Sequence, residues 1–251
     1  MKVRVLPFGV LAAALCVYAQ QSSPATSDKD VDPLALKVLK AATDPIRDAK
    51  SYSFRALVSR EREATNGQII TLFHSSDVTV ERPDKLHVEF HGLGKEVQLF
   101  YNGGQFVLYT PEEKLYTTVS APKSIDATLQ ELEQRDVFIP ISNFLQSDPY
   151  TSLSDDLVTG YVVGKVVLFD QTVHHLAFTE PDADWQLWVV GGDKPRIRRL
   201  QVVDKSKPER PRIVVDFFDW NMEAKPDPEL FTFTRPADAK QIELLKEAPR
   251  K

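Results

Sequence analysis

The side chains able to do chemistry are few and poorly grouped. His87 and His91 stand four apart with Glu89 between them, a spacing that suits metal chelation on a helix. Their neighbours Leu86, Val88 and Phe90 predict a strand instead, where four residues span roughly 13 Å, so the three polar groups form one strand face and not a ligand set. His174 and His175 are adjacent and point to opposite sides of a strand, which favours packed or hydrogen-bonded roles over joint ligation. Asp155 with Asp156, and Asp182 with Asp184, could be paired carboxylates for acid–base work. Both pairs lie in turn-like sequence, where Asp bonds local backbone. The chain holds no Gly-x-Ser-x-Gly elbow, no phosphate-cradling glycine loop and no His-Glu-x-x-His, so hydrolase, nucleotide and zinc-protease chemistry lack their minimal parts. No catalytic residue, metal ligand or cofactor is expected, and the chain does not read as an enzyme.

The aromatic and basic residues point to packing. Trp185, Trp188 and Trp220 suit a sheet core, and Trp185 and Trp188 differ in parity, so Trp185 shares a face with Leu187 and not with Trp188. Arg196, Arg198 and Arg199 read as charges on a solvated strand, with an anionic headgroup at a rim as the functional alternative.

These residues must be positioned by strands. His174–Val190 reads as a hairpin whose two arms, 174–179 and 185–190, carry apolar groups at both parities around Pro181, Asp182 and Ala183. Apolar groups on both faces demand two apolar environments, whereas an antiparallel sheet commonly leaves one face wet.

Residues 1–19 combine Lys2 and Arg4, an apolar core and the end Val17-Tyr18-Ala19, the pattern of a secretory signal peptide. The run falls short of the roughly 20 apolar residues that a spanning helix needs. Cys16 follows Leu15 and not a small residue, so no lipid anchor is expected. Cleavage after Ala19 leaves 232 residues without cysteine, carrying 29 basic and 36 acidic side chains. That excludes an intramolecular disulfide and argues against nucleic acid as a partner. The mature chain contains no transmembrane segment and reads as periplasmic. Its length suits one domain over 32–251, preceded by a flexible tether over 20–31.

Asp32 before Pro33 predicts a helix start, and Leu34, Val38, Ala41, Ala42 and Ile46 continue it to about 49. From Tyr52 the period falls to two, and short runs separated by turn residues predict an antiparallel meander to about 119. A helical insert at about 122–148 breaks it, with apolar stripes at Ile125, Leu129 and Leu132 and at Ile139, Phe144 and Leu145, interrupted by Pro140. Further strands follow at about 157–169, 172–179, 185–190, 196–204 and 212–220.

The succession Tyr161-Val162-Val163-Gly164, His174-His175-Leu176-Ala177-Phe178, Asp184-Trp185-Gln186-Leu187-Trp188, Asp219-Trp220-Asn221 and Phe231-Thr232-Phe233 resembles the DUF2092 family of predicted bacterial periplasmic proteins. Arg82-Pro83-Asp84-Lys85-Leu86, Tyr109 to Tyr116 and Asp148-Pro149-Tyr150 fit the same likeness. That family is similar to the lipoprotein-carrier (LolA/LolB-like) superfamily. The resemblance implies an α+β fold in which a curved antiparallel sheet forms a half-open β-barrel with helices over its concave face. It implies a carrier that holds a lipid or lipid-modified protein in the cell envelope. The alternative is an envelope sensor or scaffold that binds a protein partner through the same concave sheet.

A physical argument points the same way. About ten strands of five or six residues make more apolar sheet than some forty helical residues can cover. An uncovered apolar concavity calls for a ligand or partner. At about 0.8 kcal/mol per buried methylene, a cavity holding about ten would gain on the order of 8 kcal/mol before entropy and strain. Period-two repeats nominate Leu86, Val88, Val97, Leu99, Tyr101, Phe106, Leu108, Trp185 and Leu187 as its lining, under a lid of Ile125, Leu129, Leu132, Ile139, Phe144 and Leu145. A core filled by its own side chains is the bland alternative.

Overall fold

The structure is a computed structural model and describes residues 30–135, 137 and 139–243. The signal peptide expected at 1–19 and the tether residues 20–29 lie outside the described residues.

Asp30–Val31 forms strand β1, paired in parallel with residues 159–160. The tether boundary is corrected here, for the chain is in the sheet two residues before its expected end at 31. Short polar sequence gives no sign of such pairing, because the ladder is made by backbone groups. Helix α1 (Pro33–Asp48) starts as expected: the Asp32 side chain accepts a hydrogen bond from the Leu34 amide at 2.8 Å, and Pro33 fills the first turn, a cap worth about 1 kcal/mol. Pro45 is accommodated inside the helix, and Ala35, Leu39, Ala42 and Ile46 are buried along one stripe.

Strands β2 (Ser51–Glu63) to β7 (Leu115–Ser120) form an antiparallel meander through β3 (Ile69–Glu81), β4 (Lys85–Gly92), β5 (Lys95–Asn102) and β6 (Gln105–Thr110). The insert contains α2 (Ile125–Glu133), α3 (Ser142–Leu145) and α4 (Pro149–Ser154). The last extends the insert past its expected end at 148. It is started by Asp148, whose carboxylate accepts from the Thr151 amide, ahead of Pro149, the same start signal as Asp32-Pro33. A second meander follows in β8 (Thr159–Leu168), β9 (Gln171–Thr179), β10 (Ala183–Val190), β11 (Arg196–Asp204) and β12 (Arg212–Asn221). It joins the first through β12 against β2. A 3-10 turn (Pro228–Phe231) and strand β13 (Lys240–Gln241) close the described chain.

Among the described residues all thirteen strands lie in one sheet of order β1-β8-β9-β10-β11-β12-β2-β3-β4-β5-β6-β7-β13. The order is linear, so the curved sheet stays open, and the fold is the expected α+β half-open barrel. Cross-strand partners share a face, and the register carries one row through Leu176, Leu187, Leu200, Val215, Val58 and His74. A second row runs through Phe54, Val78, Val88, Leu99 and Leu108. This is the concave face, and apart from His74 and Leu108 these residues form one cluster with the buried side chains of α1 and the insert.

The opposite face has its own cover over β5–β7. Phe233, on the segment after the 3-10 turn, sets its ring 5.5 Å from Phe100, 5.2 Å from Tyr109 and 5.1 Å from Tyr116. Over β5 and β6 the sheet thus has apolar cover on both faces, the insert inside and a C-terminal strap outside, whereas on β9 and β10 the outer face carries His175 stacked on Trp188.

Candidate apolar binding cavity

The concave face is covered unevenly. Over β8, β10 and β11 lies α1, and there Trp185, Leu187, Leu200 and Val189 are buried within the core. Over β2–β6 lies α2 with the segment that follows it, and beneath them a cavity of about 500 Å³ remains. Binding pockets for small molecules run from about 300 to 1,000 Å³.

Leu86 and Val88 on β4, Val97, Leu99 and Tyr101 on β5, and Phe106 and Leu108 on β6 border this space. Ile125, Leu129, Leu132, Ile139 and Leu145 close it from the insert. Small side chains on the floor leave the room: Ala56 on β2 and Ser76 on β3 face each other across the strand pair.

Three expected site residues stand elsewhere. Trp185 and Leu187 are on the concave face, as their parity required, but in its other half. Trp185 stacks on Phe178 with ring centres 4.2 Å apart and donates from Nε1 to Glu180 at 2.6 Å, and Leu187 is 0% exposed. The cause is α1, which fills that half with its own stripe. Phe144 is also 0% exposed. It meets Phe217 edge to face at 5.1 Å and anchors the insert instead of lining the space.

The insert is tied down at one end. Tyr52 donates to the Phe144 carbonyl at 2.7 Å, and the Arg82 guanidinium donates to the carbonyls of Leu145 at 3.1 Å and Gln146 at 2.6 Å. Burial raises the Tyr52 phenol above its ordinary range, so it remains a donor at every physiological pH. Tyr101 donates to the Pro122 carbonyl at 2.7 Å, and the Ile125 amide to the Pro83 carbonyl at 2.9 Å. In the sequence Arg82 and Pro83 belong to the family likeness and give no sign of contact with the lid. Their role in holding the lid depends on groups distant in sequence, more than sixty residues away for Arg82. At the other end Leu132 and Ile139 are half-buried, and among the described residues no hydrogen bond joins residues 129–141 to the sheet.

Arg60, on the cavity wall, is exposed and so marks a mouth. The β2–β3 hairpin continues beyond both neighbours, since pairing with β4 stops at His74 and with β12 at Arg60. Arg60 and His74 line the cavity there. His74 packs at a tilt against Phe90 with ring centres 4.7 Å apart, and burial, with the nearby Arg60 charge, lowers its pKa. Neither residue was foreseen as lining, although Phe90 shares the period of Leu86 and Val88 and was legible on that ground.

Of the histidines weighed at the outset, His87 and His175 serve as packing and His91 is exposed. His87 lies buried on the convex face with its ring 4.9 Å from Phe100, and burial lowers its pKa. His175 bonds Gln186 at 2.8 Å and stacks on Trp188. Among the described residues, no group of three or more His, Cys, Asp or Glu side chains could hold a metal ion, and no helix is long and apolar enough to cross a membrane.

The sequence model of a family described as "Predicted periplasmic protein (DUF2092)" matches residues 35–245. Comparison with curated proteins gives no match. Among solved structures the chain is similar to LprF from Mycobacterium bovis, at 12% identity over 78% of this chain and 98% of that one, with a TM-score of 0.50. It is also similar to the lipoprotein LppX of Mycobacterium tuberculosis, at 13% identity over 78% and 100% of the two chains and a TM-score of 0.49. A LolA superfamily protein from Nitrosomonas europaea aligns at 14% identity over 79% and 97%, with a TM-score of 0.34. The likeness to LprF is one of fold.

Proposed function

Because the chain belongs to the DUF2092 family of predicted periplasmic proteins, and is periplasmic with it, we propose that it binds and carries acyl chains of a lipid or lipid-modified protein between its sheet and its lid. The observation that carries this reading is the cavity of about 500 Å³, bounded mostly by Leu, Val, Ile and Phe side chains beneath α2. Such a space gains from each methylene it takes out of water, about 0.8 kcal/mol apiece. Its few polar groups suit binding better than chemistry, since the Tyr101 and Thr128 hydroxyls already donate to the Pro122 and Ser124 carbonyls. The protein is read as a carrier and not as an enzyme. A chain enters by the mouth at Arg60.

Organic extraction of the purified full chain followed by mass spectrometry is expected to release acyl species. Calorimetric titration of the delipidated chain with a series of n-alkanols is expected to show affinity rising about tenfold for every two added methylenes, until the cavity is full. Affinity indifferent to chain length, with no extractable lipid, would turn the reading towards a scaffold. That alternative has one feature in its favour: Ile69 and Phe73 on the projecting β2–β3 hairpin are 60% and 57% exposed, as a surface for a protein partner would be.

A further inference from the structure

We propose that the cavity selects anionic amphiphiles, with Arg60 holding a carboxylate or phosphate headgroup at the mouth. This rests on the carrier reading and adds the class of headgroup to it. Polarity along the cavity is graded. At the closed end the hydroxyls of Tyr101 and Thr128 have internal acceptors. The middle is Leu86, Val88, Leu99 and Leu108. At the mouth stands Arg60, and among the described lining residues it alone is charged at neutral pH.

The charge is available. Arg60 forms no salt bridge among the described residues, whereas Arg55, earlier in β2 and on its other face, pairs with Asp77 at 2.8 Å. Arg62 follows Arg60 at period two on the same face and is likewise without an acidic partner among the described residues. The neighbouring acids Glu61 and Glu63 fall on the opposite face by the same alternation. The hairpin thus turns its cations over the mouth and its carboxylates away from it. His74, diagonal to Arg60, adds an imidazole that can donate to a headgroup oxygen.

A guanidinium fits either oxyanion in the same way, by paired N–H donors. An amphiphile whose chain lies against Leu99 and whose headgroup stops at Arg60 satisfies the apolar wall and the cation together. A neutral headgroup leaves the cation to water and gains nothing from it.

The test uses three probes of one chain length, dodecanoate, dodecyl phosphate and dodecanol, titrated into the delipidated full chain and into its Arg60→Gln variant. The two anions are expected to bind the wild-type chain about tenfold or more tightly than the alcohol, and added salt should narrow the gap. Arg60→Gln should remove that advantage, so that the three probes bind the variant with similar affinity. Which anion is preferred distinguishes a carboxylate from a phosphate headgroup. If all three bind equally and the variant changes nothing, headgroup selection is overturned while carriage stands. If none binds, the carrier reading falls and this one with it.

Discussion

Ala56 on β2 stands directly opposite Ser76 on β3, on the concave face and under the lid, and this pair of small side chains is where the sheet leaves room for the cavity. Larger partners flank them in the adjoining rows, Phe54 with Val78 and Val58 with His74. Ser76→Leu should therefore occupy the space without displacing the core. Displacing two methylenes of a bound chain lowers affinity about tenfold. Dodecanol titration is expected to show at least that loss, with a thermal midpoint no lower than wild type. A large fall in the midpoint would mean overpacking, and that no space exists there.

Leu99 and Gln98 are neighbours on β5 that face opposite sides, with Leu99 on the cavity wall. Leu99→Arg places a charge in an apolar space, where it resists desolvation. Saturable amphiphile binding should disappear in this variant and persist in Gln98→Arg. Equal effects of the two would move the site off the concave face.

Phe144 and Leu132 belong to the same insert but do different work. Phe144 is fully buried against Phe217, and its loss to Ala should cost about 3–5 kcal/mol in urea unfolding. Leu132 is half-buried at the free end of the lid, and Leu132→Ala should cost well under about 2 kcal/mol while weakening amphiphile binding. Similar stability losses for both would mean that the lid is anchored along its whole length.

Burial raises the Glu180 carboxyl above its ordinary range, opposed by the hydrogen bond from Trp185. The folded state thus favours the neutral acid. Its contribution is fully present below the unfolded pKa and is lost as pH rises through the higher folded value. Tryptophan emission of the wild-type chain should titrate above the usual carboxylate range, and Glu180→Gln should abolish that transition. Stability of the variant at neutral pH should match or exceed wild type. An unchanged titration in the variant would assign it to another group.

The same Trp185 separates what the sequence determined from what the tertiary structure decided. Alternation by two residues is local, so it fixed the face of every strand side chain considered: Leu86, Val88, Leu99 and Leu108 face inward, as do Trp185 and Leu187, while His87, Gln98 and Trp188 face outward. Turn residues fixed the meanders, and Asp32-Pro33 fixed the start of α1. Which half of the concave face stays open is a nonlocal matter. It depends on α1 lying over β8–β11 and α2 over the other half, and on Tyr52 and Arg82 reaching carbonyls of the insert from distant parts of the chain. Parity says that a side chain points inward; only packing decides whether it meets a helix or an empty space. For that reason Leu99 and Leu187, indistinguishable in sequence as inward leucines, end as cavity wall and closed core.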